Sequence, residues 1–172
     1  YSIILYTSHI TPYMSDSDIL HLFSLSPEFQ FMGLRKDEKT ELEMLHQIVP
    51  IAIPTQSTTH NENDIIQLPC KINILLQSYI SRAGLNGMAV AADMIYITQN
   101  AGRIMRALYE LLSIRKYSRS ALIALDLCKS IEHRVWSAQC PLRQFIPPTI
   151  SILRKNTDNI KFFKIIFLVL IK

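Results

Sequence analysis

The run from Met94 to Ile114 restricts the possible folds more than any other part of the chain. At a helical period, Met94, Ile97, Ala101, Ile104, Met105, Leu108, Leu111 and Leu112 fall on one side. Tyr96, Gln99, Asn100, Arg103, Arg106 and Glu110 fall on the other. A helix divided in this way needs a core against its apolar face. Its opposite face offers planar amides and guanidinium groups, which suit phosphate and base edges. The pattern leaves two readings of that face open: it is simply solvated, or it touches RNA.

The rest of the chain predicts partners for such a helix. Ser15-Asp16-Ser17-Asp18 supplies N-cap chemistry for a helix through Leu25, with Ile19, Leu22 and Phe23 inward. Pro27 restarts a turn at Ser26-Pro27-Glu28-Phe29. Leu34 to Val49 reads as a charged amphipathic helix, with Leu42, Leu45 and Ile48 inward and Arg35, Lys36, Glu38 and Lys39 solvated. Pro50 to Pro69 is an aperiodic, polar linker loop. Lys71 to Ile80 is a strongly apolar helix, and Gly84 and Gly87 mark the turn before the two-faced one. A further helix, about Ser120 to Trp136, carries Ala121, Ala124, Leu125, Cys128, Ile131 and Val135 on one side. The expected fold class is all-α: a helical bundle with one long amphipathic helix.

Composition narrows the function classes. A chain of 172 residues with 49% hydrophobic content and only 4 Gly is long enough and apolar enough for one packed domain. The net charge of +4 is compatible with a polyanion but does not single one out. Cys70, Cys128 and Cys140 show no C-x-x-C spacing and read as small hydrophobes in a reducing compartment. The scattered histidines give no metal signature. The glycines cannot build a phosphate-binding P-loop, and no G-x-S-x-G elbow occurs. Asp37, Glu38, Glu41 and Glu43 read as a solvated face rather than an acid–base pair. The apolar run Phe162 to Ile171 is shorter than the roughly 20 residues of a membrane-spanning helix. No catalytic residue, metal site or resident cofactor is expected in this chain.

Three stretches together carry a resemblance: Lys71-Ile72-Asn73-Ile74-Leu75-Leu76-Gln77-Ser78-Tyr79-Ile80-Ser81, Ile97-Thr98-Gln99-Asn100-Ala101-Gly102-Arg103-Ile104-Met105-Arg106-Ala107-Leu108, and Cys140-Pro141-Leu142-Arg143-Gln144-Phe145. They resemble the Sec sixty-three homology region of large Ski-two-like RNA helicases, a region also found in an endoplasmic-reticulum translocation subunit. Phe23-Ser24-Leu25-Ser26-Pro27-Glu28-Phe29 and Cys128-Lys129-Ser130-Ile131 are most similar to the spliceosomal members that unwind paired U-four and U-six small nuclear RNAs. The helicases of the activating signal cointegrator complex are close behind. The resemblance covers residues 15–145, with order and spacing kept.

The resemblance implies a helical bundle in which one long helix, the ratchet helix, lies along the translocating strand. Tyr96 to Leu112 matches it, so Asn100 and Arg103 are expected to face single-stranded RNA, with Gln99 and Arg106 beside them. Trp136 and Phe145 are expected as packing anchors, and Arg143 and Gln144 as structural loop residues. ATP and Mg would belong to RecA-like motor domains elsewhere in the parent, next to a winged-helix domain. Those domains and spliceosomal proteins are the implied partners, with no membrane, in the nucleus or alternatively the cytoplasm. The expected division is a connector at 1–14, the bundle at 15–150 with its variable loop at 50–69, and an atypical tail at 151–172. That tail reads as intron-derived or mis-assigned sequence, and the chain as a fragment cut before the family's helix-loop-helix and immunoglobulin-like units. Two rivals remain: a protein-interaction module from a degenerate helicase cassette, and the translocation subunit.

Overall fold

In the computed structural model, which describes residues 10–54 and 67–144, the first helix begins where its capping residues predict. Helix α1 (Asp16–Ser24) opens on a capping box. The Asp18 amide donates to Ser15 Oγ at 3.3 Å, and the Ser15 amide donates to Asp18 Oδ2 at 2.8 Å. The backbone bond from Ser15, then the bond from its hydroxyl, holds the Asp18 carboxyl below the usual range. Leu25 ends the helix, and a 3₁₀ turn, Pro27–Phe29, follows as the proline predicts. Phe29 is buried against Phe23 with ring centroids 5.3 Å apart.

Four more helices complete the described fold: α2 (Lys39–Ile48), α3 (Leu68–Ser81), α4 (Met88–Ile114) and α5 (Ser118–His133). Short 3₁₀ turns stand at Lys36–Glu38 and Pro141–Gln144, and no strand occurs among the described residues. Helix α3 is the axis of the bundle, touching α1, α2, α4 and α5. Every residue from Lys71 to Ser78 is buried, as is Ile80. A helix covered on all sides must satisfy its polar side chains internally. Gln77 does so against one residue of the α2–α3 connection. Its Oε1 accepts the Ile51 amide and its Nε2 donates to the Ile51 carbonyl, both at 3.0 Å, which lays Ile53 into the core.

Lys71 is the harder case, because its side chain has no exposed surface. The ammonium has three donors and finds three acceptors. It bonds Glu38 Oε2 at 2.5 Å, Asp93 Oδ2 at 2.6 Å and the Gly33 carbonyl at 3.0 Å. Arg35 closes the cluster from the solvent side, pairing with Glu38 Oε1 and reaching Asp93 Oδ2 at 3.4 Å. Two cations therefore meet two carboxylates, and no net charge is buried. Burial pushes the Glu38 carboxyl up, but the bonds from Lys71 and Arg35 outweigh it and leave its pKa below the ordinary value. The cluster fixes α3, the start of α2, the Gly33 loop and the first turns of α4 to one another.

Helix α4 is secured at its start by a second carboxylate. Glu41 of α2 accepts the amides of Asn86 at 2.7 Å and Gly87 at 3.1 Å, placing an anion at the positive end of a long helix. Gly87 is the N-cap residue, and a Cβ there would stand 2.5 Å from Glu41 Oε2. Helices α4 and α5 form a hairpin through Arg115-Lys116-Tyr117 and pack extensively together. Ile10 and Met14 also join the core, where the Met14 amide donates to Ser120 Oγ at 3.1 Å.

Three helix ends place a long cation, rather than glycine, in the left-handed conformation: Arg82, Lys116 and Arg134, with φ of 57°, 63° and 52°. Their ends close with Schellman-type bonds, such as Ala83 N–H to Ser78 C=O and Tyr117 N–H to Leu112 C=O, each at 3.0 Å. The two arginines cap each other's helices. Arg82 Nε donates to the Arg134 carbonyl and Arg134 Nε to the Tyr79 carbonyl, both at 3.2 Å. The Arg134 guanidinium also lies 4.3 Å from the Tyr79 ring centroid. Trp136 packs beside them, its Nε1 donating to Ser81 Oγ at 2.9 Å, as its expected anchoring role requires.

The structure corrects several local readings. The expected helix over 34–49 is a 3₁₀ turn followed by the shorter α2, and Glu38 is 3% exposed rather than solvated, because Lys71 draws it inward. Glu41, also read as solvated, caps α4. Ile48 is 59% exposed at the end of α2, not inward. In α5, Leu127 is buried where Leu125 was expected, and the helix stops at His133 because Arg134 turns left-handed. The expectations for 1–9, 55–66, Phe145 and the 151–172 tail lie outside the described residues.

Two predictions follow from the cluster and the helix ends. Glu38→Gln should cost about 3 kcal/mol at pH 7, since it removes one partner of a buried charge. Because the folded Glu38 pKa is lowered, its contribution is complete above about pH 4.3 and lost as pH falls through the folded value. The variant should therefore lose less stability on acidification, and an unchanged urea midpoint at pH 7 would contradict the assignment. Arg134→Ala should be about 1 kcal/mol less stable than Arg134→Gly, since both lose the cap but only alanine keeps the left-handed strain. Thermal melts of the two variants measure the difference.

Candidate nucleic-acid interface

Helix α4 has the two faces its periodicity predicts. Ile97, Ala101, Ile104, Met105, Leu108 and Leu112 are buried, and the helix begins at Met88, directly after the Gly87 that was expected to mark the turn before it. With one side fixed in the core, the other side is a rigid platform. Tyr96, Asn100 and Arg103 follow each other at helical spacing along it.

These side chains are linked in sequence. Asn100 Nδ2 donates to the Tyr96 carbonyl one turn back at 3.1 Å, and its Oδ1 accepts from Arg103 Nη2 at 3.2 Å. The same Arg103 nitrogen donates to Glu28 Oε2 at 2.8 Å. The Tyr96 hydroxyl donates to the Glu28 carbonyl at 3.0 Å, and the Tyr96 ring meets the Phe29 ring edge-on at 6.4 Å. The 3₁₀ turn Pro27–Phe29 therefore sits against the polar face of α4, with its aromatic residue in the core and its carboxylate on the guanidinium.

The strength of this arrangement is uneven. Phe29 is buried, whereas the Arg103 side chain is 65% exposed. An exposed ion pair contributes only about 0.2–1 kcal/mol and is screened by salt. The turn is thus held by Phe29, and the Arg103–Glu28 pair can open without loss of the fold. Among the described residues, Arg103 Nε and Nη1 have no protein acceptor.

Gln99 and Arg106 share this side of the helix and are exposed. Neither has a hydrogen bond or ion pair among the described residues, and Arg106 does not pair with Glu110, an arrangement their spacing allowed. Its charge reaches Cys128, but burial dominates there and pushes that thiol up to about 11. The structure therefore joins Asn100 and Arg103 into one network and leaves Gln99 and Arg106 beside it as separate donors. Glu28 escaped sequence reasoning, since nothing in Ser26-Pro27-Glu28-Phe29 reveals that its turn folds back onto a helix so far along the chain. The exposed Arg143 lies in the Pro141–Gln144 turn.

The model of the Sec63 Brl domain matches residues 1–165. The chain belongs to the Sec63 Brl domain family. Its relatives include the Arabidopsis thaliana DExH-box ATP-dependent RNA helicase DExH12, 46% identical over 81% of the chain. The human U5 small nuclear ribonucleoprotein 200 kDa helicase is 41% identical over 87% of it. The Schizosaccharomyces pombe pre-mRNA-splicing factor brr2 is 44% identical over 80%. The chain spans 6–7% of the length of these relatives. The match confirms the resemblance, and it takes in every described helix of this Sec63 Brl domain, α4 included. No helix among the described residues is long and apolar enough to cross a membrane.

Proposed function

We propose that this Sec63 Brl domain is a non-catalytic module of a spliceosomal ATP-dependent RNA helicase. In this reading it holds single-stranded RNA along the outer face of α4 while motor domains elsewhere in the parent hydrolyse ATP. The observation that carries the proposal is the line of Tyr96, Asn100 and Arg103 on a helix whose opposite face is buried. Arg103 offers a planar donor fork for phosphate, and Asn100 offers an amide for base or sugar without a sequence requirement. Gln99 stands beside Asn100 within this line, and Arg106 extends it by about one turn beyond Arg103. Such contacts are individually modest, which suits a strand that must advance.

The relatives support the parent's identity. Their names carry RNA helicase, U5 small nuclear ribonucleoprotein and pre-mRNA splicing. Spliceosomal proteins and a nuclear location follow from the same reading. A second reading has one observation in its favour: Met88 and Ile95, on the first turns of α4, are apolar and well exposed. That end of the helix would then dock another protein surface, either in the parent helicase or in a partner.

Fluorescence anisotropy with a labelled oligouridine tests the RNA reading. Arg103→Ala should weaken binding by about tenfold, the loss of one charge-assisted contact. Plotted against log salt, its log affinity should fall less steeply by about 0.7, the contribution of one phosphate on a single strand. Unchanged affinity and slope in both Arg103→Ala and Arg106→Ala would contradict it.

A further inference from the structure

The carboxylate that meets Arg103 comes from another element, and its placement is built. The turn bearing Glu28 starts on Pro27 and is anchored by Phe29, which is buried between Phe23 and Tyr96. The Glu28 backbone is held independently, through the bond from the Tyr96 hydroxyl to its carbonyl. The Glu28 side chain is 24% exposed and directs Oε2 to Arg103 Nη2 at 2.8 Å, a charge-assisted bond to the same nitrogen that meets Asn100. A carboxylate oxygen on a guanidinium has the charge, acceptor type and spacing of a phosphate oxygen on the same group. With Glu28 in place, the Arg103–Glu28 pair has no net charge toward solvent.

We infer that Glu28 is an internal phosphate surrogate: it occupies Arg103 when no RNA is bound, and the RNA backbone must displace it to be held. The inference rests on the RNA-binding reading of the α4 face and adds a competitor to it. Three features fit displacement. The pair is exposed and screened, so opening it costs little. The turn that supplies the carboxylate is held by Phe29 and by its own backbone, so Glu28 can swing away while the fold stays closed. A carboxylate left in place would repel an arriving phosphate across a few ångströms, so the two anions compete for the same guanidinium. The consequence is a grip that resets itself: each phosphate released from Arg103 is replaced by Glu28, which shortens the bound time and disfavours rebinding at the same position.

The test uses the full chain and a labelled oligouridine, with Glu28→Gln, Arg103→Ala and the double variant. Glutamine keeps the backbone contacts and most of the side-chain shape, so the fold is retained, and circular dichroism checks it. Glu28→Gln should bind RNA about three- to tenfold more tightly, with the gain in a slower off-rate, and the gain should vanish in the Arg103→Ala background. If Arg103→Ala weakens binding but Glu28→Gln leaves it unchanged or weakens it, Glu28 is no competitor and the inference falls while the RNA reading stands. If the gain persists without Arg103, it is a general charge effect, which also overturns the inference. If none of the three variants alters binding, the RNA reading fails and the inference with it.

Discussion

A lysine ammonium in the middle of a bundle is the constraint around which this fold is arranged. Lys71 sits on α3, the helix that touches all four others, with no route to solvent. An unpaired charge there would be untenable. Its three bonds bring in the Gly33 loop, the 3₁₀ turn ahead of α2, and the first turns of α4. Hydrophobic burial is non-directional, and the cluster adds directional bonds to it. The cluster sets where α4 begins, and Glu41 seals that start at Asn86 and Gly87. The polar face further along α4 inherits its position from these two carboxylate sites.

Two kinds of ion pair therefore act on the same helix with opposite consequences. The Lys71 cluster is buried, and removing one partner leaves a charge stranded, so it behaves as a fixed joint. The Arg103–Glu28 pair is exposed and weak, so it behaves as a contact that can be exchanged. A module proposed to hold a moving strand needs both: a frame that does not yield and a grip that does. The Schellman-type ends serve the frame as well, since Arg82 and Arg134 tie the last turns of α3 and α5 together.

Much of this was legible in the sequence. The period of α4, the N-cap at Ser15-Asp16-Ser17-Asp18 and the Pro27 restart depend on local chemistry and were readable from neighbouring residues. The all-α class follows from the same local signals. The errors at Glu38 and Glu41 share one physical origin, which is that a charged residue's surroundings depend on a partner distant in the chain. Glu38 lies in a charged run and reads as solvated, yet Lys71 claims it. The available signal was Lys71 itself, a cation inside the apolar run Leu68 to Ile80 that had to find acidic partners. Arg134 is a different case: the left-handed turn that ends α5 is normally marked by glycine, and here an arginine adopts it. At the candidate site, Asn100 and Arg103 were readable as an outward pair, while Glu28 was not, because only the folded turn brings it to α4.

The central claim is that single-stranded RNA lies along the outer face of α4, and photo-crosslinking tests it most directly. Full chain bound to an oligonucleotide carrying 4-thiouridine would be irradiated, digested and mapped by mass spectrometry. The account predicts crosslinked peptides within residues 96–106, reduced in Arg103→Ala. Crosslinks confined to other helices, or none at a concentration where binding is saturated, would contradict it.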